Sequence, residues 1–410
     1  MNKNEMLKKY ATLAVKMGVN IQDHDTLVIN SPIECCEFAR EIAQAAYDEG
    51  AKNVVVHYND QKLQKINLNN SSIETLSEVP NWTSESYNYY ARTGANFISI
   101  ASSDPDAFKG IPVEKIAAYQ KARQLALKEY YENSMSNKVR WCVLSVPSEA
   151  WASKVFPELT TEEAMNKLWE VIFSVVRVDT ENPIDAWVNH NKNLNDKLSF
   201  LNKNSFKILH YKNNKGTNLT VELPKGHLWL GGGEESTSGI EFNANMPTEE
   251  VFTLPKKDGV NGTVVSSKPL IYGGNLINNF SLTFKDGKVV DFTAEEGIDV
   301  LKQLLDSDEG ARYLGEVALV PFDSPISNSG IVFYNTLFDE NAACHFALGR
   351  AYPSCLANGT EMNDEELAIH DVNNSIIHVD FMIGTDDLEI TGLTENNDSI
   401  TIFKNGNWAF

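Results

Sequence analysis

The stretch SIIHVDFMIG, Ser375 to Gly384, is apolar enough to be a buried strand, yet it carries His378 and Asp380. Side chains alternate faces along a strand, so residues two apart point the same way. The imidazole and the carboxylate therefore share a face. A carboxylate in such surroundings is costly unless it is paired or holds a metal. Three other segments of the second half carry similar groups. NMPTEEVFTLP holds Glu249 and Glu250 between Pro247 and Pro255. YLGEVALVP has Glu316 at the head of an apolar run, and FDENAACHFALGRAYP holds Glu340, His345 and Tyr352.

Taken singly, each residue also has a structural reading. Glu249 and Glu250 fit first-turn helix acids after Thr248. Glu316 fits an exposed strand end, His345 a satisfied core histidine, Tyr352 ordinary packing, and His378 with Asp380 a hydrogen-bonded pair. Taken together they are more specific. Read as a helix, the residues after Ala342 put His345 and Tyr352 on one face, with Glu340 about one turn upstream. The set offers carboxylates, two imidazoles and a phenol, and no thiolate. Such oxygen and nitrogen donors suit Zn²⁺, Co²⁺ or Mn²⁺. Carboxylates can also bridge two ions about 3.5–4 Å apart. No HExxH is present, so this is a constellation of residues and not a motif.

These side chains need rigid elements to hold them. The first half alternates strands and helices. DTLVINSP (Asp25–Pro32) reads as a strand, Glu34 to Gly50 as a helix with Phe38, Ile42, Ala45 and Ala46 on one face, and NVVVHYND (Asn53–Asp60) as the next strand. Such a βαβ unit implies a parallel sheet. NFISIAS (Asn96–Ser102) and VRWCVLSVP (Val139–Pro147) read as strands around a helix from Val113 to Asn133. Thr160 with Glu163 predicts a capping box on a helix running through Val176, and Pro183 opens another. After about residue 204 the texture becomes β-rich. FKILHYKNNKGTNLTVELP predicts a hairpin about NNKG, and FSLTFKDGKVVDFTAE another about KDGK, with short strands and loops such as TVVSSKPLIYGG between them. GGGEEST lacks the GK[ST] ending of a phosphate loop and reads as a turn. His24 and His57 fall in no ligand pattern with acids and read as structural.

The expected architecture is an α/β N-terminal domain with a mainly parallel sheet, residues 1–195, and an α+β, β-rich, metal-binding C-terminal domain, residues 196–410. The first would shape a cleft and make oligomer contacts; the second would carry the chemistry.

Composition narrows the partners. With 35 Lys and Arg against 56 Asp and Glu, the net charge is −21, and no basic cluster is present. Nucleic acid is therefore not expected, because phosphate binding needs clustered cations. No run of 18 apolar residues exists, so no membrane span is expected. MNKNEMLKKYATLAVKMGVNIQ has helical periodicity broken by lysines, without the continuous apolar stretch of a signal peptide. Cys35, Cys36, Cys142, Cys344 and Cys355 form no CxxC pair. The expectation is a reducing compartment, the cytoplasm.

The segments NMPTEEVFTLP, YLGEVALV, DENAACHFALGRAYP and IIHVDFMIG, in this order, resemble the aminopeptidase T/aminopeptidase S family of metallopeptidases. LHYKNNKGTNLTVEL, WLGGG and the N-terminal helix are similar too, so the resemblance spans the chain. It implies a dimeric, metal-dependent aminopeptidase with two divalent ions per chain, zinc or cobalt, with manganese also compatible. By the same resemblance Glu250 is a metal ligand and Glu316 the ligand that bridges both ions. His345, Tyr352, His378 and Asp380 complete the set, and Glu340 is a ligand or a base. Glu316, Tyr352 and Glu340 are also the catalytic candidates. Peptides with a free N-terminus are the implied substrates, cleaved by a metal-activated hydroxide. A two-metal hydrolase for another amide or phosphoester bond is the alternative, since that chemistry is shared. A non-catalytic small-molecule-binding protein is the alternative of a different class.

Overall fold

The alternation of strands and helices in the first half produces a five-stranded parallel sheet. Its order runs Asn245–Met246, Trp141–Leu144, Asn96–Ile100, Thr26–Pro32, Asn53–Asn59. The computed structural model describes residues 3–102, 104–272 and 275–410. Met1 and Asn2 of the N-terminal segment, and Gly273 and Gly274 of TVVSSKPLIYGG, lie outside them. The chain forms two compact units. One comprises Met1–Asn189 and Gly233–Pro247; the other comprises His190–Gly232 and Thr248–Phe410.

In the first unit, Leu27, Val28 and Ile29 are fully buried on the interior strand Thr26–Pro32, as expected where a parallel sheet is covered on both faces. The helix after it runs Cys36–Asp48, with Phe38, Ile42, Ala45 and Ala46 buried. The expected helix from Val113 to Asn133 is two helices, Val113–Ala126 and Lys128–Met135. The break is at Leu127, whose backbone leaves the helical region while its side chain is buried. The capping box forms as its residues dictate: Glu163 N donates to Thr160 Oγ1 and Thr160 N donates to Glu163 Oε2.

The second unit is built on two antiparallel sheets. Phe206–Lys212 pairs with Asn218–Glu222, and Asn275–Lys285 with Lys288–Glu296. The second hairpin turns at Asp286 and Gly287, both at positive φ. A tight two-residue hairpin turn requires that backbone. The other sheet positions the candidate site. Its order is His378–Met382, His345–Gly349, Leu314–Leu319, Val251–Thr253, Leu230–Gly231. Val317, Leu319, Phe346, Leu348 and Phe381 are buried from one face of this sheet in the core of the unit. The period of two leaves the other face free for polar groups.

One expectation fails. The residues after Ala342 are a strand, His345–Gly349, so His345 and Tyr352 do not share a helix face. The alanines suggest a helix, but pairing with Leu314–Leu319 on one side and His378–Met382 on the other decides the outcome. Glu249 and Glu250 likewise precede a strand, not a helix. Among the described residues no helix is long and apolar enough to cross a membrane.

Candidate metal centre

Register brings the candidate residues together. Glu316 pairs across the sheet with Ala347, and Ala347 with Asp380. The three lie in one row, and directly opposed residues share a face. His345 lies two residues before Ala347 on the same strand, and His378 pairs with Gly349 two residues after it. Two acids and two imidazoles therefore surround a patch whose own side chains are a methyl group and a hydrogen. Glu250 enters from just ahead of the neighbouring strand, Val251–Thr253. Val251 turns into the core, so Glu250 turns the other way.

The distances describe two clusters that share one residue. His345 Nε2 is 3.1 Å from Glu250 Oε2 and 3.9 Å from Glu316 Oε1. His378 Nε2 is 3.1 Å from Glu316 Oε2 and 3.2 Å from Asp380 Oδ1. Glu250, Glu316 and His345 offer one ligand atom each within 4.8 Å of one another, and so do Glu316, His378 and Asp380. Glu250, Glu316 and His345 are buried; His378 and Asp380 are half-buried.

The tautomers test whether these donors fit cations. His345 Nδ1 lies 3.0 Å from Ala343 O, and His378 Nδ1 lies 2.7 Å from Arg350 O. A carbonyl only accepts, so each Nδ1 carries a proton. In the neutral ring, Nε2 then aims a lone pair at carboxylate oxygens. That is repulsive unless a proton or a cation lies between them. The buried Oε2 of Glu250 makes no well-aligned hydrogen bond. Holding Nδ1–H on a carbonyl is also how proteins orient a metal-bound histidine. The donor set fits divalent ions.

The titration behaviour follows from the same crowding. Burial alone would lower His345, but Glu250, Asp380 and Glu316 outweigh it and hold the ring at about 10. His378 is raised far above its usual value by Asp380 and Glu316, again against burial. Burial raises Glu316, and His378 only partly offsets this. Asp380 is lowered: burial works against its charge, but His378 and His345 prevail. Without metal, protons on the imidazoles supply the positive charge that these carboxylates need.

Glu340 and Tyr352 border the clusters. Glu340 ends the helix Thr336–Glu340. Burial raises its carboxyl well above the usual range, and Asp380 and Glu250 raise it further. It belongs to neither three-residue cluster. The Tyr352 ring lies 4.7 Å from the His378 ring, and burial followed by Glu316 and Asp380 keeps its hydroxyl protonated. Of the other histidines considered, His24 has Asp23 beside it at 3.4 Å on the surface. His57 packs against Tyr87 in the first unit.

Three contributors escape a reading of residue types. Ala347 and Gly349 leave the space, and the alternation in HFALG is the signal that marks them. Asn341 braces the backbone from a distance and carries no such signal.

Residues 3–408 match the thermophilic metalloprotease family, M29. The chain is 50% identical over 407 residues to aminopeptidase AmpS of Bacillus subtilis (strain 168), covering 99% of each. It is 42% identical over 403 residues to aminopeptidase T of Thermus thermophilus, covering 98% of each. The solved structure of wild-type AmpT from Thermus thermophilus superimposes with a TM-score of 0.94 at 40% identity, covering 100% of both chains.

Proposed function

We propose that this chain, which belongs to the thermophilic metalloprotease family M29 and is a metal-dependent aminopeptidase, holds two divalent cations on Glu250, Glu316, His345, His378 and Asp380. The observation that carries the reading is the sharing of Glu316. Its two oxygens face different histidines, one in each cluster. Bound there, the cations would supply a water of lowered pKa and a polarised carbonyl.

The chain's own groups do the rest. Glu340, buried beside both clusters, takes a proton from the attacking water and returns it to the departing amine, acting first as general base and then as general acid. Tyr352 keeps its hydroxyl protonated and donates to the oxygen that develops charge. The paired strands hold His345, His378, Glu316 and Asp380 in place beforehand, so little reorganisation is needed. Zinc or cobalt suits the nitrogen and oxygen donors, and manganese is compatible. The substrates are peptides with a free N-terminus. Residues 196–410 supply the chemistry, and residues 1–195 serve oligomer contacts in a homodimer. The five cysteines are free, in keeping with a reducing cytoplasm.

The test strips the protein with a chelator, returns Zn²⁺, Co²⁺ or Mn²⁺, and assays a leucyl peptide beside its N-acetylated form. Activity is expected to vanish, return with metal, and stay absent in His378→Ala. Equal cleavage of the acetylated peptide, or turnover independent of metal, overturns the reading.

A further inference from the structure

Glu250 and Glu340 come from segments 90 residues apart in sequence. One buried amide connects them. Asn341 is fully buried. Its Oδ1 accepts the backbone N–H of Glu249 at 2.6 Å. Its Nδ2 donates to Leu337 O at 2.9 Å, within the helix that ends at Glu340, and reaches Glu340 Oε1 at 3.5 Å. The adjoining carbonyl is held as well: Thr248 O lies 2.7 Å from His190 Nε2, which donates to it. Side chains thus grip two successive backbone groups just ahead of Glu250.

We infer that Asn341 is a positioning residue that sets the separation between the carboxylate of Glu250 and the carboxyl group of Glu340. The inference rests on the metal-dependent aminopeptidase reading above. Three features carry it. The side chain is wholly desolvated, so each of its polar atoms must be matched by a partner. Both ends of the amide are used, the oxygen by one segment and the nitrogen by the other. An apolar residue would remove the side-chain acceptor of the Glu249 N–H, and an aspartate would retain that acceptor but put a second carboxylate beside Glu340. The two ends of Asn341 can therefore be tested separately.

Asn341→Ala removes both ends; Asn341→Asp keeps the acceptor for Glu249 and removes the donor. In Asn341→Ala, Co²⁺ affinity and kcat are expected to fall about 10- to 100-fold, as when outer partners of metal ligands are removed. KM for the leucyl peptide should change little. In Asn341→Asp, Co²⁺ affinity stays near that of the starting protein while kcat falls. Placed in the Glu340→Gln background, Asn341→Asp adds no further loss of kcat, because the carboxyl group it acts on is already gone. The starting protein is assayed alongside. If it shows no metal-dependent turnover, the functional reading fails, whatever the variants do. If it turns over and Asn341→Ala keeps kcat and Co²⁺ affinity within about twofold, the inference fails. It also fails if Asn341→Asp retains full kcat, or if its loss multiplies undiminished with that of Glu340→Gln. A lowered melting temperature with unchanged kcat per folded molecule marks a merely structural asparagine and overturns it too.

Discussion

Nε2 of His378 lies 3.1 Å from Oε2 of Glu316, and the other nitrogen of the ring is already committed to Arg350 O. The imidazole can neither tilt away nor change tautomer without losing that bond. The second oxygen of Glu316 faces His345. Glu316 is therefore the one carboxylate common to both clusters, and its loss should not resemble the loss of any other.

Glu316→Gln is expected to weaken binding of both ions, about 10- to 100-fold each. Glu250→Gln and Asp380→Asn should each weaken one and leave the other near its starting affinity. Titration of stripped protein with Co²⁺, followed calorimetrically, separates the two events. A Glu316→Gln protein that keeps one ion at full affinity would show that the clusters do not depend on a shared carboxylate.

Ala347 lies between Glu316 and Asp380 in the row across the sheet. A branched aliphatic side chain there projects among the ligands. Ala347→Leu is expected to lower kcat/KM about 100-fold through misplacement of reacting groups, while overpacking costs about 1–3 kcal/mol of stability. Ala347→Ser should stay close to the starting protein. Steady-state rates on a leucyl peptide, beside circular dichroism to establish folding, decide it. Normal activity in Ala347→Leu would mean that the space above this residue is not used.

The residues of the site were legible in the sequence because their chemistry conflicts with their surroundings. His378 and Asp380 stand out in an apolar run, and the strand period alone puts them on one face. The hairpin about KDGK and the Thr160–Glu163 capping box were legible for a similar reason: the residue types demand that backbone. The segment HFALG, after Ala342 and Ala343, reads locally as a helix. Its strand state comes from two partner strands, 314–319 and 378–382, which no local window contains. Asn341 was invisible for a stronger reason. Its role lies in accepting the backbone N–H of Glu249, and a backbone donor leaves no trace in the identity of the residue that carries it.

In the first unit, Arg140 is nearly inaccessible, and its guanidinium pairs with Asp25 and also donates to Val19 O at 2.8 Å. Burial lowers its pKa, and Asp25 opposes that shift. Asp25 also accepts from Gln22 N and Asn96 Nδ2. Asp25→Ala leaves a buried cation without its counter-charge. A loss of about 3–5 kcal/mol in unfolding free energy is expected, read from urea denaturation of the metal-free protein. Asp25→Ala combined with Arg140→Met should recover part of it, since no charge is then stranded. A change below about 1 kcal/mol, the range of an exposed pair, would show that the arginine finds water instead.

His57 offers a test of the opposite sign. Its ring packs 4.5 Å from Tyr87, its Nδ1 has no hydrogen-bond partner, and burial lowers its pKa. The folded state therefore binds a proton less readily than the unfolded chain, where the value is about 6.5. Stability from the neutral ring is present above that pH and is lost as pH falls toward the folded value. Comparing urea midpoints of the starting protein and His57→Gln between pH 8 and pH 5 isolates this contribution. The starting protein should lose stability relative to the variant on acidification, with the difference growing below about pH 6.5. A difference independent of pH would mean that the ring meets water as freely when folded as when unfolded.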